Sequence, residues 1–236
     1  MDVQQRGQFQ LKQLTIIETI LRNRIFFFDE VRGSKKLREK IQAMFLSCFV
    51  FLAIYGFVMG MSNSLPQAIS SAIKLPILFL LTLIICTPSL HFFNILFGSK
   101  QTMPQTITVI LTAMTTTAVI LVSFAPITFF FLTTSNEYQF FKLLNVVFFV
   151  IAGAMGIIFL RQGVTIISES DNNEGVGARR LIFSVWIILY GFVGTQMGWT
   201  LRPFFGDPGL PFEPFREVGG NFYADIIASI AQLLAS

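Results

Sequence analysis

Charged side chains are scarce in this chain of 236 residues. Asp, Glu, Lys and Arg make up 13% of it, against about 25% in a typical soluble domain. Five stretches contain no charged side chain, and each can hold the roughly 20 apolar residues that cross about 30 Å of hydrocarbon. These stretches are 42–73, 75–99, 101–136, 143–160 and 181–201. The low charge excludes an ordinary soluble domain and predicts five membrane-spanning segments.

Histidine and cysteine are nearly absent from the sequence. The chain has one histidine, His91, and two cysteines, Cys48 and Cys86. A His-Glu-x-x-His zinc motif therefore cannot form, and no His, Cys and carboxylate residues have the spacing of a metal site. A Gly-x-Ser-x-Gly nucleophile motif is missing as well. We expect no catalytic residue, no cofactor and no metal, with both cysteines acting as small buried hydrophobic residues.

Acidic residues are missing from the middle of every predicted span. Proton-coupled and ion-coupled transporters commonly need such groups, so their absence disfavours a transporter. Lys74 and Lys142 fall near span ends, where a long side chain is expected to extend outward to the polar interface.

The predicted spans are helices, because a backbone in lipid must satisfy its own hydrogen bonds. The apolar pattern does not alternate with the period of two that is typical of an outer-membrane barrel. With five crossings, all but four of the 17 Lys and Arg residues lie on the side of the N-terminus. The positive-inside rule then predicts a cytoplasmic N-terminus and an extracytoplasmic C-terminus. The four exceptions are Lys74, Lys142, Arg202 and Arg216.

Three regions follow from this pattern: a cytoplasmic segment 1–40, a five-helix domain 41–200, and an extracytoplasmic region 201–236. Residues 8–31 predict one amphipathic helix in the headgroup layer, although contact with protein instead of lipid stays open. Its predicted apolar stripe consists of Leu14, Ile17, Leu21, Ile25 and Phe28. The following basic run, 32–40, is either a positive-inside boundary or a surface for protein docking. It is not interleaved with base-stacking aromatic residues, so we expect no nucleic-acid binding.

The predicted spanning helices cover 41–61, 75–97, 104–132, 138–160 and 179–200, with a separate short interfacial helix at 67–74. Pro88 is expected to kink or end the second span. The threonine-rich third span predicts helix packing, with a polar path as the alternative. Small residues spaced for close helix contact indicate that the fourth and fifth spans meet each other or a second copy. These helix-packing residues are Ala152, Gly156, Gly191, Gly194 and Gly198.

The stretch "LRPFFGDPGLPFEPFREVGGNFY", residues 201–223, concentrates proline, glycine and phenylalanine directly after the last span. Its prolines forbid a regular helix, and its aromatic residues predict a belt at the membrane interface. Arg202 and Arg216 are expected to pair with Asp207, Glu213 or Glu217, and residues 224–236 to form a short interfacial helix that lies on the outer surface of the membrane. We call residues 201–223 the cap and expect first a folded lid that seals the outer ends of the helices, with a docking surface for a partner as the alternative. Its candidate partner-binding residues are Trp199, Arg202, Phe204, Phe205, Asp207, Phe212, Phe215, Arg216 and Asn221.

Several segments resemble known membrane proteins. "HFFNILFGSKQTMPQTITVILTAMTTTAVIL" resembles the region between the second and third helices of the five-span Yip family. "LREKIQAMFLSCFVFLAIYGFVMG", "SAIKLPILFLLTLIICTPSLHFFN", "FFKLLNVVFFVIAGAMGI" and "GWTLRPFFGDPGLPFEPFREVGGNFY" are similar to a widespread bacterial group related to that fold. The resemblance covers about 35–225. It implies a bacterial plasma (inner) membrane or thylakoid protein with no catalytic residues.

These observations predict an all-α integral membrane protein with five transmembrane helices, an N-terminal amphipathic helix and a Pro/Phe-rich outer cap. The expected function is that of a non-enzymatic scaffold or accessory subunit, which binds another membrane protein or organises the lipid bilayer. A second copy of the chain is an alternative partner. A transporter or channel with a polar path along the third helix is the alternative function. Two further alternative functions are a lipid-modifying enzyme that uses Arg202, Asp207 and Arg216, and a substrate-binding site in the cap.

Overall fold

The regular structure of the chain is α-helical wherever it is described. A computed structural model describes residues 15–96, 99–135, 137–168, 176–206, 212–215 and 220–235, and within these residues it contains eight helices and no strand. The helices are α1 (15–22), α2 (Arg24–Arg32), α3 (Leu37–Gly60), α4 (Leu65–Leu96), α5 (Met103–Thr134), α6 (Tyr138–Ser168), α7 (Val176–Thr200) and α8 (Phe222–Ala235).

Five of these helices, α3 to α7, are long and apolar enough to cross a membrane. The all-α, five-span prediction is therefore confirmed, and the chain has the architecture of a multi-pass membrane protein. The predicted interfacial helix at 67–74 is wrong as a separate element, because α4 runs without interruption from Leu65 to Leu96. Pro66 lies in its first turn, where a missing N–H costs nothing. Helix α4 also continues past Pro88, and α5 continues past Pro126.

The N-terminal region differs from the single helix predicted for it. The helix is interrupted at Asn23, so α1 and α2 do not share one continuous stripe. Ile17 and Phe28 are buried as expected, whereas Leu21 and Ile25 are exposed, and Leu14 lies outside the described residues. The side chains that are buried in addition are Ile20, Phe27 and Val31.

Helix α2 packs on protein. A Cβ atom added to Gly163 of α6 would lie 2.6 Å from the ring of Phe28, so the ring occupies the space that this glycine leaves. Gln105 of α5 donates hydrogen bonds to the carbonyl oxygens of Val31 and Arg32, at 3.2 and 2.9 Å. The buried face of α2 therefore lies against α5 and α6, whereas Ile25 and Phe26 are exposed.

The chain divides into two compact units. The first comprises Met1–Cys48, Leu83–Thr117 and Ala154–Ile188, and the second comprises Phe49–Thr82, Ala118–Gly153 and Leu189–Ser236. Each of the five spanning helices contributes a segment to each unit, because every dividing point falls inside a helix.

Threonines of α5 fill the interior of the first unit. Each hydroxyl donates to the carbonyl oxygen four residues earlier in the same helix, at distances from 2.7 to 3.0 Å. Because these hydroxyls are satisfied within α5, their side chains pack as nearly apolar groups. The arrangement supports the packing interpretation of the threonine-rich span. The residues are Thr108, Thr112, Thr115, Thr116 and Thr117, all of them buried.

Close helix contact in the second unit comes from a glycine pair that is not among the predicted helix-packing residues. Gly56 and Gly60 of α3 lie against α4: a Cβ on Gly56 would be 2.5 Å from the carbonyl oxygen of Ser71, and one on Gly60 would be 2.7 Å from Cα of Ala68. The pair has the Gly-x-x-x-Gly spacing that permits backbones to approach in lipid. The same signal was therefore present in the sequence of α3.

The predicted packing residues have other neighbours than expected. Gly156 of α6 does pack closely, but it faces Ala113 and Thr117 of α5 and not the fifth span. Gly194 and Gly198 of α7 face Thr82 and Leu78 of α4 at 4.0 and 3.4 Å, which is ordinary van der Waals contact. A Cβ on Gly191 would meet no described atom within 4 Å, and Ala152 is fully buried. The nearest described neighbours of these glycines thus lie on α5 and α4, and contact with a second copy stays a prediction.

Candidate functional site: the cap and its seat

The cap rests on one polar face of α4. Gln67, Ser71 and Lys74 are spaced by four and three residues, so they lie on the same side of the helix. All three are buried although they belong to a helix that is otherwise strongly apolar. Polar groups buried in this way need hydrogen-bond partners, and the cap supplies them. We refer to these three residues as the polar seat.

The polar seat binds backbone carbonyl oxygens of the cap. The Gln67 side-chain amide donates to the Pro203 carbonyl at 2.8 Å, and the Ser71 hydroxyl donates to the Phe204 carbonyl at 2.7 Å. A proline-rich loop leaves carbonyl groups without the helical donors that would otherwise bind them. The seat therefore satisfies the cap backbone and fastens it to α4.

Lys74 anchors the cap. Its ammonium group donates to the carbonyl oxygen of Pro214 and, at 3.4 Å, to that of Pro203. The ring of Phe215 covers the same nitrogen, with its centroid 4.6 Å away. Carbonyl dipoles and an aromatic face thus compensate the burial of the ammonium group, and its extension to the polar interface stays a prediction.

The first residues of the cap are also held by close contacts. The Arg202 guanidinium lies 3.6 Å from the centroid of the Trp199 ring, and the Arg202–Pro203 peptide bond is cis. A Cβ added to Gly206 would overlap the side chain of Asn63, so only glycine fits there. Phe205 contacts Phe141 of α6 edge to face, with 5.9 Å between ring centroids. These contacts give the start of the cap a defined position.

The predicted partner-binding residues fall into three groups. Trp199, Arg202, Phe204 and Phe205 are half-buried, so much of their surface serves the fold. Phe212 and Phe215 are exposed, at 40% and 61%. Asn221 accepts a hydrogen bond of 2.8 Å from the Ala224 backbone and acts as the N-cap of α8, a structural role that we did not expect.

Some expectations about the cap fall on residues that the structure does not describe. Asp207 and Arg216 lie outside the described residues, and Glu217 does too. The predicted pairing of Arg202 and Arg216 with these acids therefore stays a prediction.

Lys142 of α6 binds the C-terminal helix. Its ammonium nitrogen lies 2.5 Å from a carboxylate oxygen of Asp225 and donates to the Ser229 hydroxyl at 2.9 Å. Gln139, one turn earlier, donates to the side-chain oxygen of Gln232 at 2.7 Å. An acid far along the chain neutralises Lys142, and the extension of its side chain to the polar interface stays a prediction. The expected short helix after the cap is confirmed as α8.

Three further features bear on chemistry. The described residues contain no group of three His, Cys, Asp or Glu side chains placed to bind a metal ion. His91 is half-buried and shares a hydrogen bond of 3.1 Å with the Thr106 hydroxyl. Cys48 and Cys86 are free thiols and are both buried, as predicted.

Comparison of the chain with family models, with curated proteins and with solved structures gave no match. The resemblance to the Yip family and to the related bacterial group stays a prediction.

Proposed function

We propose that the protein is a non-enzymatic membrane scaffold or accessory subunit whose cap binds another membrane protein. The single observation that supports this most is the exposure of Phe212 and Phe215 on a loop whose backbone is fastened to the polar seat. Exposed aromatic residues on an ordered support lose little conformational entropy when they are buried by a partner. Aromatic anchors of this kind dominate the binding energy of many interfaces.

The proposal includes an orientation and a compartment. The excess of Lys and Arg on the N-terminal side favours a cytoplasmic location for that side, and the cap would then face the extracytoplasmic space. The resemblance to bacterial five-span proteins favours a plasma (inner) or thylakoid membrane. Binding of a second copy, or ordering of nearby lipid, would use the same exposed aromatic surface.

The transporter alternative has less support from the described side chains. It depended on a polar path along the threonines of α5, but the hydroxyls of Thr108, Thr112 and Thr116 donate to carbonyls of their own helix. Hydroxyls that are already satisfied in this way offer fewer hydrogen bonds to a permeating solute. We therefore rank the scaffold function first.

Photo-crosslinking in the native membrane tests the proposal. A photoreactive amino acid replaces Phe212, and after irradiation the tagged protein is purified under denaturing conditions and its adducts are identified by mass. One dominant protein adduct, obtained again when that protein is tagged instead, supports a docking cap. A dominant adduct with the chain itself would indicate a homo-oligomer, and adducts with lipid alone would contradict the accessory-subunit function.

Two matched variants make this result specific. In the first variant the photoreactive residue replaces Lys35, which is exposed and lies far from the cap in the sequence. This variant should not give the same adduct. Replacement of Phe215 by serine, with the photoreactive residue kept at 212, should reduce the adduct severalfold, because it removes an exposed aromatic anchor. Since Phe215 also covers Lys74, the yield of folded protein is compared by size-exclusion chromatography before irradiation.

A further inference from the structure

Helix α8 has its polar side chains on the side that faces the protein. Asp225 and Ser229, one turn apart, point to α6 and bind Lys142, and Ser229 is buried to 2% exposure. Phe222 and Ile226 on the same side are half-buried. A helix on the surface of a soluble protein has the opposite arrangement, with an apolar stripe facing inward and polar residues facing water.

The outward side of α8 is apolar. Ile227 is 69% exposed, and the three alanines that share its side of the helix are exposed as well. Residues spaced by three, four and seven positions lie on one helical face, so they form a continuous apolar strip. Tyr223 and Ile230 extend its edge and are also exposed. The alanines are Ala224, Ala228 and Ala231.

The position of α8 along α6 indicates the environment of this strip. Its contacts are made to Gln139 and Lys142, and α6 begins at Tyr138. With a rise of 1.5 Å per residue, those contacts lie within about 6 Å of the start of α6. Interfacial helices place their apolar face roughly 5–10 Å into the boundary between headgroups and acyl chains. Farther along α6, Val147 and Val150 are exposed too, as expected for a span that faces lipid.

We propose that α8 is embedded in the membrane leaflet next to the cap, with the strip of Ala224, Ile227, Ala228 and Ala231 in contact with lipid acyl chains. The ion pair of Lys142 and Asp225 holds α8 at this depth and neutralises both charges on the protein-facing side. The polar side of the helix thus binds protein and its apolar side binds lipid. This inference does not depend on the proposed partner of the cap.

Accessibility of a nitroxide spin label tests the inference on the full-length chain. The natural thiols are removed by Cys48→Ala and Cys86→Ala, a single label is attached at Ile227→Cys, and the protein is reconstituted in vesicles of equal parts phosphatidylcholine and phosphatidylglycerol. Collision rates are then measured with oxygen, which partitions into acyl chains, and with a water-soluble nickel chelate. Labels at Val150→Cys and Lys35→Cys provide the lipid and water references.

We expect the ratio of oxygen to nickel collisions at position 227 to approach that at position 150 and to exceed that at position 35 severalfold. A ratio like that of position 35 would show a face in water and overturn the proposal. Low rates with both reagents would show a face covered by protein, which overturns it too. Spin–spin broadening that disappears on dilution with unlabelled chain would identify a second copy as that protein.

Ala224→Cys provides the second label site, because it shares the outward direction and replaces a small residue. The same lipid-like ratio is expected there, and disagreement between the two sites would contradict a continuous lipid-facing strip. Because the purified chain alone is reconstituted, failure of this test is distinct from failure to find a crosslinked protein at the cap.

Discussion

The Tyr55 hydroxyl donates a hydrogen bond of 2.7 Å to the side-chain oxygen of Asn145, and both residues are completely buried. The Asn145 amide nitrogen in turn donates to the Phe141 carbonyl of its own helix at 2.8 Å. The Tyr55 ring packs edge to face on Phe149, with 5.7 Å between centroids. This pair joins α3 to α6 within the second unit by a polar contact inside an apolar interior.

Replacement of Tyr55 by phenylalanine keeps the ring and removes the donor. We expect a loss of about 0.5–2 kcal/mol in the free energy of unfolding, because Asn145 keeps a buried oxygen without its donor. Unfolding is followed by circular dichroism in mixed detergent. The double variant Tyr55→Phe with Asn145→Leu should lose less than the sum of the two single variants. Strict additivity would show that the hydrogen bond contributes nothing.

Alanine at Gly60 tests the close approach of α3 and α4. The added Cβ would lie 2.7 Å from Cα of Ala68, so the helices must move apart, and we expect a cost of roughly 1–3 kcal/mol. Gly191→Ala is the matched control, since the new methyl group meets no described atom within 4 Å. The control should leave the melting temperature in detergent unchanged or raise it, because alanine favours a helix over glycine. Equal effects at both positions would contradict the assigned contact.

Lys74→Met removes the ammonium group that binds the carbonyls of Pro203 and Pro214. The cap should open more often, so backbone hydrogen exchange at 204–206 and 212–215 should become severalfold faster, while exchange in α5 stays unchanged. Lys35→Met, at an exposed site, serves as the control. Exchange as slow as in the unmodified protein would show that the cap does not depend on Lys74.

Valine in place of Thr112 and Thr116 removes two hydroxyls that are bonded within α5. We expect the double variant to lose less than about 1 kcal/mol in the free energy of unfolding, because valine keeps the shape and the lost bonds are local. Leu111→Ala shows that the assay detects damage to the same buried region, with an expected loss of about 2–5 kcal/mol. If the valine variant loses as much free energy of unfolding as Leu111→Ala, the two hydroxyls contribute more than packing.

The local sequence pattern was sufficient to predict the spanning helices. It was not sufficient to predict which helices pack against each other. The runs without charge predicted five spans, because crossing hydrocarbon demands a minimum length of apolar helix. Glycines four residues apart indicate where two helices are permitted to approach closely. Gly194 and Gly198 make only ordinary van der Waals contact, whereas Gly56 and Gly60 lie in close contact with the backbone of α4. Spacing describes one helix surface, and the identity of the opposing helix depends on the packing of all of them.

Composition and order along the chain thus account for the all-helical, multi-pass architecture of the described residues and for the end of the last spanning helix before the proline-rich segment. The roles of Lys74 and Lys142 depended on the folded arrangement. In the sequence each lysine merely borders an apolar run, but folding brings Pro214 to Lys74 and Asp225 to Lys142, across separations of 140 and 83 residues. A buried cation is stable only with such partners, and no local pattern identifies a partner that distant.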